Sequence, residues 1–100
     1  MTAYLFANVS VTDPAGYDEY RKRVGASIEA YGGRFLARGG AADVLEGDLT
    51  PNRVVILEFP SMTSLKMWYD SPEYRPLLEI RKGTATSDVI AIEGIGAPGS

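Results

Sequence analysis

Residues 53–76 read RVVILEFPSMTSLKMWYDSPEYRP, and the way this stretch divides decides the fold. Arg53 to Phe59 has the strongest strand pattern in the chain. Val55, Leu57 and Phe59 fall on one face and Val54, Ile56 and Glu58 on the other. Pro60 stops the strand, because it has no amide proton for a ladder hydrogen bond. Ser61 then caps a helix whose inner face carries Met62, Leu65, Trp68 and Tyr69. Asp70-Ser71-Pro72 breaks that helix. Ser71 and Pro72 have the form of a fresh cap, but Pro76 disfavours a helix begun there. One turn is therefore expected over Pro72 to Arg75, then a helix from Pro76 to about Lys82, ended by Gly83. The strand is expected in the middle of the sheet, with the helix covering it.

Working upstream, Ala3 to Val11 alternates Leu5, Ala7, Val9 and Val11 against Tyr4, Phe6, Asn8 and Ser10, as a strand does. Asp13 and Pro14 suit a helix cap and first turn, since the carboxylate accepts from orphan amides and proline has none to lose. Tyr17, Tyr20, Val24, Ile28 and Tyr31 then recur at helical spacing on one face. Gly32-Gly33 ends the helix. Arg34 to Arg38 reads as a short strand. After Gly39-Gly40, Asp43 to Glu46 (DVLE) reads as its resumption, giving one irregular strand with a bulge at the paired glycines. Residues 47–52 are a turn by composition. Downstream, Ser87 to Glu93 is the last strand. Residues 1–94 make one domain, and 95–100 a mobile tail.

The order strand, helix, strand, strand, helix, strand is that of the ferredoxin-like α+β fold, an antiparallel sheet with both helices on one face. The first, third and last strands are apolar on both sides. An antiparallel sheet with one wet face should instead alternate with polar residues. Each Val or Ile side chain left in water forgoes roughly 1.5 to 3 kcal/mol. A second copy packed sheet on sheet removes that exposure, so a homodimer is expected.

Composition narrows the chemistry. The chain has 100 residues, 45% apolar and 23% charged, which is the size and balance of one globular domain. Its net charge is -3 and its pI about 4.8, so no nucleic-acid partner is expected. No apolar run reaches the ~20 residues of a membrane span. The N-terminus lacks the basic start of a signal peptide, and cytoplasm is the expected location. There is no cysteine, so there is no disulfide framework. There is also no histidine. That removes Ser-His and Cys-His nucleophiles, the common zinc sites and haem on a proximal histidine. No metal or other cofactor is expected, and acid–base work falls to Asp, Glu, Tyr, Lys or Arg-assisted water.

The segments YDEYRKRVGASIEAYGGRFLARGG, LEG at 45–47, RVVILEFPS and SPEYRPLLEIR, in that order, resemble the bacterial family known as domain of unknown function 1330. The resemblance runs from about Tyr4 to Gly94. It implies a fold similar to the dimeric α+β barrel proteins. Those include cofactor-free monooxygenases acting on polyketide-type aromatics, muconolactone isomerases and haem enzymes. It implies the dimer as well, but no particular reaction.

Candidate residues follow from charge and aromaticity at strand and helix ends. Arg38 lies on a strand that otherwise reads as core, and Glu58 lies near a strand end. A buried Arg–Glu pair marks a site, whereas a solvated sheet rim gives both a bland role. Trp68, Tyr69 and Tyr74 cluster at the helix break, as core packing or as the lining of a small-molecule pocket. A buried Tyr74 hydroxyl needs a partner. Arg81 either turns inward to hold an anion through its fork of donors or extends along the helix. Asn8, on an apolar face, must hydrogen-bond something. The enzyme hypothesis assigns Arg38, Glu58 and Tyr74 to catalysis and Trp68, Arg81 and Asn8 to a ligand. The enzyme would be an oxygenase or isomerase that works without a cofactor. The alternative is a non-catalytic dimeric module that binds a metabolite or supports another protein.

Overall fold

The computed structural model describes residues 1–95. The elements are β1 (Ala3–Val11), α1 (Pro14–Glu29), β2 (Arg34–Arg38), β3 (Arg53–Phe59), α2 (Met62–Tyr69), α3 (Arg75–Thr84) and β4 (Ala85–Glu93). All strand pairs are antiparallel, in the order β2-β3-β1-β4. Strand β3 is central, between β2 and β1, as its two-sided apolar pattern requires. Leu57 and Phe59 on its inner face are buried with Leu5, Ala7 and Val9 of β1. Tyr17, Tyr20, Val24 and Ile28 of α1, Leu65 and Trp68 of α2, and Leu77 and Leu78 of α3 complete that core.

The second helical region is two helices, and Ser71 joins them. Its buried hydroxyl donates to the Trp68 carbonyl at 2.7 Å and accepts from the Tyr74 amide at 3.1 Å. One side chain thus satisfies the last turn of α2 and the approach to α3. Gly83 does not end α3, which continues to Thr84. The Thr84 hydroxyl donates to the Ile80 carbonyl at 2.7 Å. Its own carbonyl accepts from Thr12 and Asp13 at 2.8 and 3.0 Å, tying the β1–α1 turn to the end of α3. Strand β4 therefore begins at Ala85, two residues before the position read from the sequence.

Two expectations for residues 34–46 are corrected. The register shift in β2 lies between Phe35 and Ala37, at Leu36, and not at the paired glycines. Gly39 adopts φ 71° and ends the strand. Asp43 to Glu46 is not a strand but part of an exposed loop. The reason is register. Arg38 already pairs with Val55, near the start of β3, so no ladder is left for DVLE to join.

The helices cover one face of the sheet. The other face presents Phe6 and Ile56 half-buried, and Ile90 and Ile92 are 60% and 58% exposed. Of the segment expected as a mobile tail, residues 96–100 lie outside the described residues.

Candidate functional site

A cavity of about 40 Å³ lies between the helices and the inner face of the sheet. Tyr17 and Tyr20 of α1, Trp68 and Tyr69 of α2, Tyr74 before α3, Arg81 of α3 and Arg53 of β3 line it, with aliphatic side chains of β1 and β3. Helical spacing places Tyr17 and Tyr20 inward, and the α2–α3 break brings Trp68 against Tyr74, with ring centroids 4.1 Å apart. The Trp68 indole N–H donates to Ser27 Oγ at 3.0 Å, and that hydroxyl donates to the Val24 carbonyl at 2.7 Å. The indole is therefore fully satisfied and fixed.

The polar centre is a pair of phenols beside an arginine. Tyr20 and Tyr74 hydroxyl oxygens are 2.9 Å apart, and either can donate. Burial, then the neighbouring Tyr74, pushes the Tyr20 pKa far up. Burial raises Tyr74 too, opposed by the Arg81 guanidinium beside it. Both phenols are thus protonated near neutral pH, and one donates to the other. Arg81 is only 6% exposed. Burial alone would lower its pKa, but the phenols of Tyr74 and Tyr20 outweigh that and hold it above the ordinary arginine value. Among the described residues it forms no salt bridge, and its Nε has no hydrogen-bond partner. A buried cation without a carboxylate is costly unless an anion comes to it.

The residues singled out from sequence divide between this site and other places. Trp68, Tyr74 and Arg81 come together at the cavity. Arg38 stands exposed at the end of β2, its Nη2 donating to the Arg21 carbonyl at 2.6 Å and its guanidinium 4.1 Å from the Phe35 ring centre. Glu58 faces the opposite side of the sheet, where Arg34 Nε donates to it at 2.9 Å. Arg38 and Glu58 do not form a buried pair. Asn8 also lies on that opposite side. Its Nδ2 donates to the Thr50 carbonyl at 3.0 Å and its Oδ1 accepts from the Asn52 amide at 2.8 Å, so it anchors the β2–β3 loop.

Three site residues were not singled out from sequence. Tyr20 could have been found as the partner that a buried Tyr74 hydroxyl demands. Arg53 precedes Val55, Leu57 and Phe59 in the same period-two row, which places it on the inner face. Ser87 precedes Val89 in the same way.

Two grooves adjoin the cavity. One of about 280 Å³ runs between α3 and β4, bordered by Tyr69, Arg81, Ser87 and Val89. The other, also about 280 Å³, lies between α2 and β4 and shares Tyr69 and Val89. Tyr69 thus lines the cavity and both grooves.

Residues 2–95 match the family model described as domain of unknown function (DUF1330). The chain belongs to the DUF1330 family. No curated protein matches it. Among solved structures, this DUF1330 chain is similar to a protein of unknown function from Rhodopseudomonas palustris, with TM-score 0.76 and 21% identity over 95% of this chain and 83% of that one. It is similar to SnoaB, a cofactor-independent oxygenase from Streptomyces nogalater, with TM-score 0.65 and 14% identity over 99% and 98% of the two chains. It is also similar to a dimeric ferredoxin-like protein of unknown function from Jannaschia, with TM-score 0.65 and 11% identity over 94% and 100%. At these identities the likeness carries the fold. Among the described residues, no helix is long and apolar enough to cross a membrane.

Proposed function

We propose that this DUF1330 protein is a small-molecule enzyme that works without a cofactor, of the oxygenase type, with its site in the Tyr20–Tyr74–Arg81 cavity. The observation that carries this reading is the buried guanidinium of Arg81 beside two phenols held protonated, with no carboxylate lining the cavity. Such a site stabilises an oxyanion. Arg81 holds the developing negative oxygen, and Tyr74, backed by Tyr20, donates a hydrogen bond to it. Trp68 and Tyr69 provide flat apolar surfaces for an aromatic body. An electron-rich phenol, the enol form of a methylene ketone, passes its hydroxyl proton to water and becomes an enolate whose carbon reduces oxygen directly. One oxygen atom then becomes a new carbonyl at a methylene carbon, and the other leaves as water. SnoaB is a cofactor-independent oxygenase on a backbone of similar fold, which supports the feasibility of that chemistry here. An isomerase is less well served, because a carbon-to-carbon proton shift calls for a base and no carboxylate lines the cavity.

The protein is also proposed to act as a sheet-to-sheet homodimer. The exposed outer-face residues Ile90 and Ile92 support this, as does the dimeric state of the Jannaschia protein.

The small enclosed volume of about 40 Å³ favours a second reading, a non-catalytic metabolite-binding or structural module. Oxygen uptake with a panel of electron-rich phenols separates the two. The enzyme reading expects uptake by the wild type, reduced about 100-fold in Arg81→Met, the scale of losing one oxyanion donor. Uptake unchanged in both Arg81→Met and Tyr74→Phe sinks the assignment. No uptake, with a small molecule retained in native mass spectrometry, establishes the binding module instead.

A further inference from the structure

Three buried side-chain polar atoms have no hydrogen-bond partner among the described residues: Arg53 Nε, Arg81 Nε and Ser87 Oγ. They belong to one region. Arg53 pairs with Val9 and Val9 with Ser87, so the three form one row across β3, β1 and β4. With neighbouring strands roughly 4.8 Å apart, Arg53 and Ser87 are about 10 Å apart along that row. Both follow the inner-face register, and Arg81 reaches the same end of the fold from α3. Arg53 and Arg81 line the cavity, while Arg81 and Ser87 line the adjoining groove.

Buried donors without partners are rare in folded proteins, and each costs about 1 to 3 kcal/mol. Arg81 Nε and Ser87 Oγ, on residues that border one groove, point to a missing acceptor there. Neither arginine has a carboxylate within salt-bridge distance among the described residues. The Arg53 guanidinium is positioned between α1 and the end of β2, 5.9 Å from the centre of the Tyr17 ring. A Cβ on Gly39 would lie 2.5 Å from Arg53 Nη1, so the bare glycine makes room for the guanidinium.

We propose that Arg81 and Ser87 form a carboxylate subsite in the groove beside the cavity, and that the ligand is a planar, aromatic acid. This rests on the cavity being the binding site and names the class of molecule it takes. The carboxylate accepts from the Arg81 guanidinium and the Ser87 hydroxyl, while the Arg53 guanidinium lies toward β2, beside Gly39 and Tyr17. The aromatic body lies against Tyr69 and Val89, which border both spaces, so the groove supplies the room that the enclosed cavity lacks.

The test compares a carboxylate with its neutral amide on the purified full-length protein. Benzoate and benzamide, and as smaller controls acetate and acetamide, are titrated at matched ionic strength near neutral pH. Thermal unfolding and Trp68 fluorescence report binding. Benzoate is expected to bind at least about tenfold tighter than benzamide, the scale of a charge-assisted contact. That preference should vanish in Arg81→Met and shrink in Ser87→Ala. Ser87 is half-buried, so its variant keeps the test open if Arg81→Met does not fold. Equal binding of benzoate and benzamide overturns the carboxylate subsite while leaving the cavity as a binding site. A preference undiminished in Ser87→Ala also overturns it, leaving Arg81 to act alone. If neither benzoate nor benzamide binds, the subsite fails, and oxygen uptake decides the catalytic reading separately.

Discussion

The Tyr20 and Tyr74 hydroxyls meet 2.9 Å apart, although 54 residues of sequence separate them. Each is the other's hydrogen-bond partner in a buried setting, so removing one oxygen leaves the other unsatisfied. Tyr20→Phe and Tyr74→Phe are each expected to cost about 1 to 3 kcal/mol. The double variant should cost less than the two together, because it leaves no orphaned hydroxyl. Urea unfolding of the four proteins checks this. Strict additivity would show that the two hydroxyls are not coupled.

The same pair sets an alkaline limit on stability. Tyr20 titrates far above its ordinary value of 10.0, first because it is buried and then because of Tyr74. Above that ordinary value the unfolded chain releases the tyrosine proton while the folded chain keeps it. The unfolded state then binds fewer protons, and unfolding free energy falls as pH rises. The contribution is complete below pH 10.0 and is lost progressively above it. Tyr20→Phe should flatten the decline of stability between neutral pH and pH ~11 relative to the wild type. Parallel declines in the two proteins would count against a buried, neutral Tyr20.

Ser27 fixes the only tryptophan of the chain by accepting from its indole N–H at 3.0 Å. Ser27→Ala leaves that donor buried with no acceptor, at a cost of about 1 to 3 kcal/mol. Chemical denaturation gives the cost, and Trp68 fluorescence reports the loss of the bond. A variant as stable as wild type, with unchanged emission, would show that the bond carries little.

Asn8 holds the exposed β2–β3 loop through Thr50 and Asn52. Leu45 in that loop is 91% exposed, so little else restrains it. Asn8→Ala should leave cooperative unfolding in place, lower stability by about 1 to 3 kcal/mol and speed protease cleavage within residues 39–52. Cleavage at the wild-type rate would show that the loop is held by other means.

The outer sheet face gives a prediction about assembly. Ile90→Lys places a charge among Phe6, Ile56 and Ile92, where a partner sheet would have to cover it. The wild type should run as a dimer in light scattering and native mass spectrometry, and the variant as a folded monomer. A wild type that stays monomeric at micromolar concentration removes the sheet-to-sheet dimer.

The sequence by itself determined the elements and their sides. Period-two and period-3.6 apolar patterns act between near neighbours, so β1 and β3 could be read with their bounds, α1 with its start, and Ser61 and Asp13 as caps, while α1 ends at Glu29, before the Gly32-Gly33 stop read from the sequence. The α2–α3 break was legible in Asp70-Ser71-Pro72 for the same local reason. DVLE was misread because its alternation is local, whereas a strand needs a neighbour, and β3 had no residues left for it. Gly83 was misread as a stop because Thr84 closes the last turn through Ile80. Tertiary structure alone decided the site. Arg38 and Arg81 look alike as strand-end and helix-end arginines, yet one is exposed at the rim and the other buried beside Tyr20 and Tyr74. Which of them loses its water depends on contacts far apart in sequence. No local pattern records the desolvation that makes one arginine a surface charge and the other a buried cation.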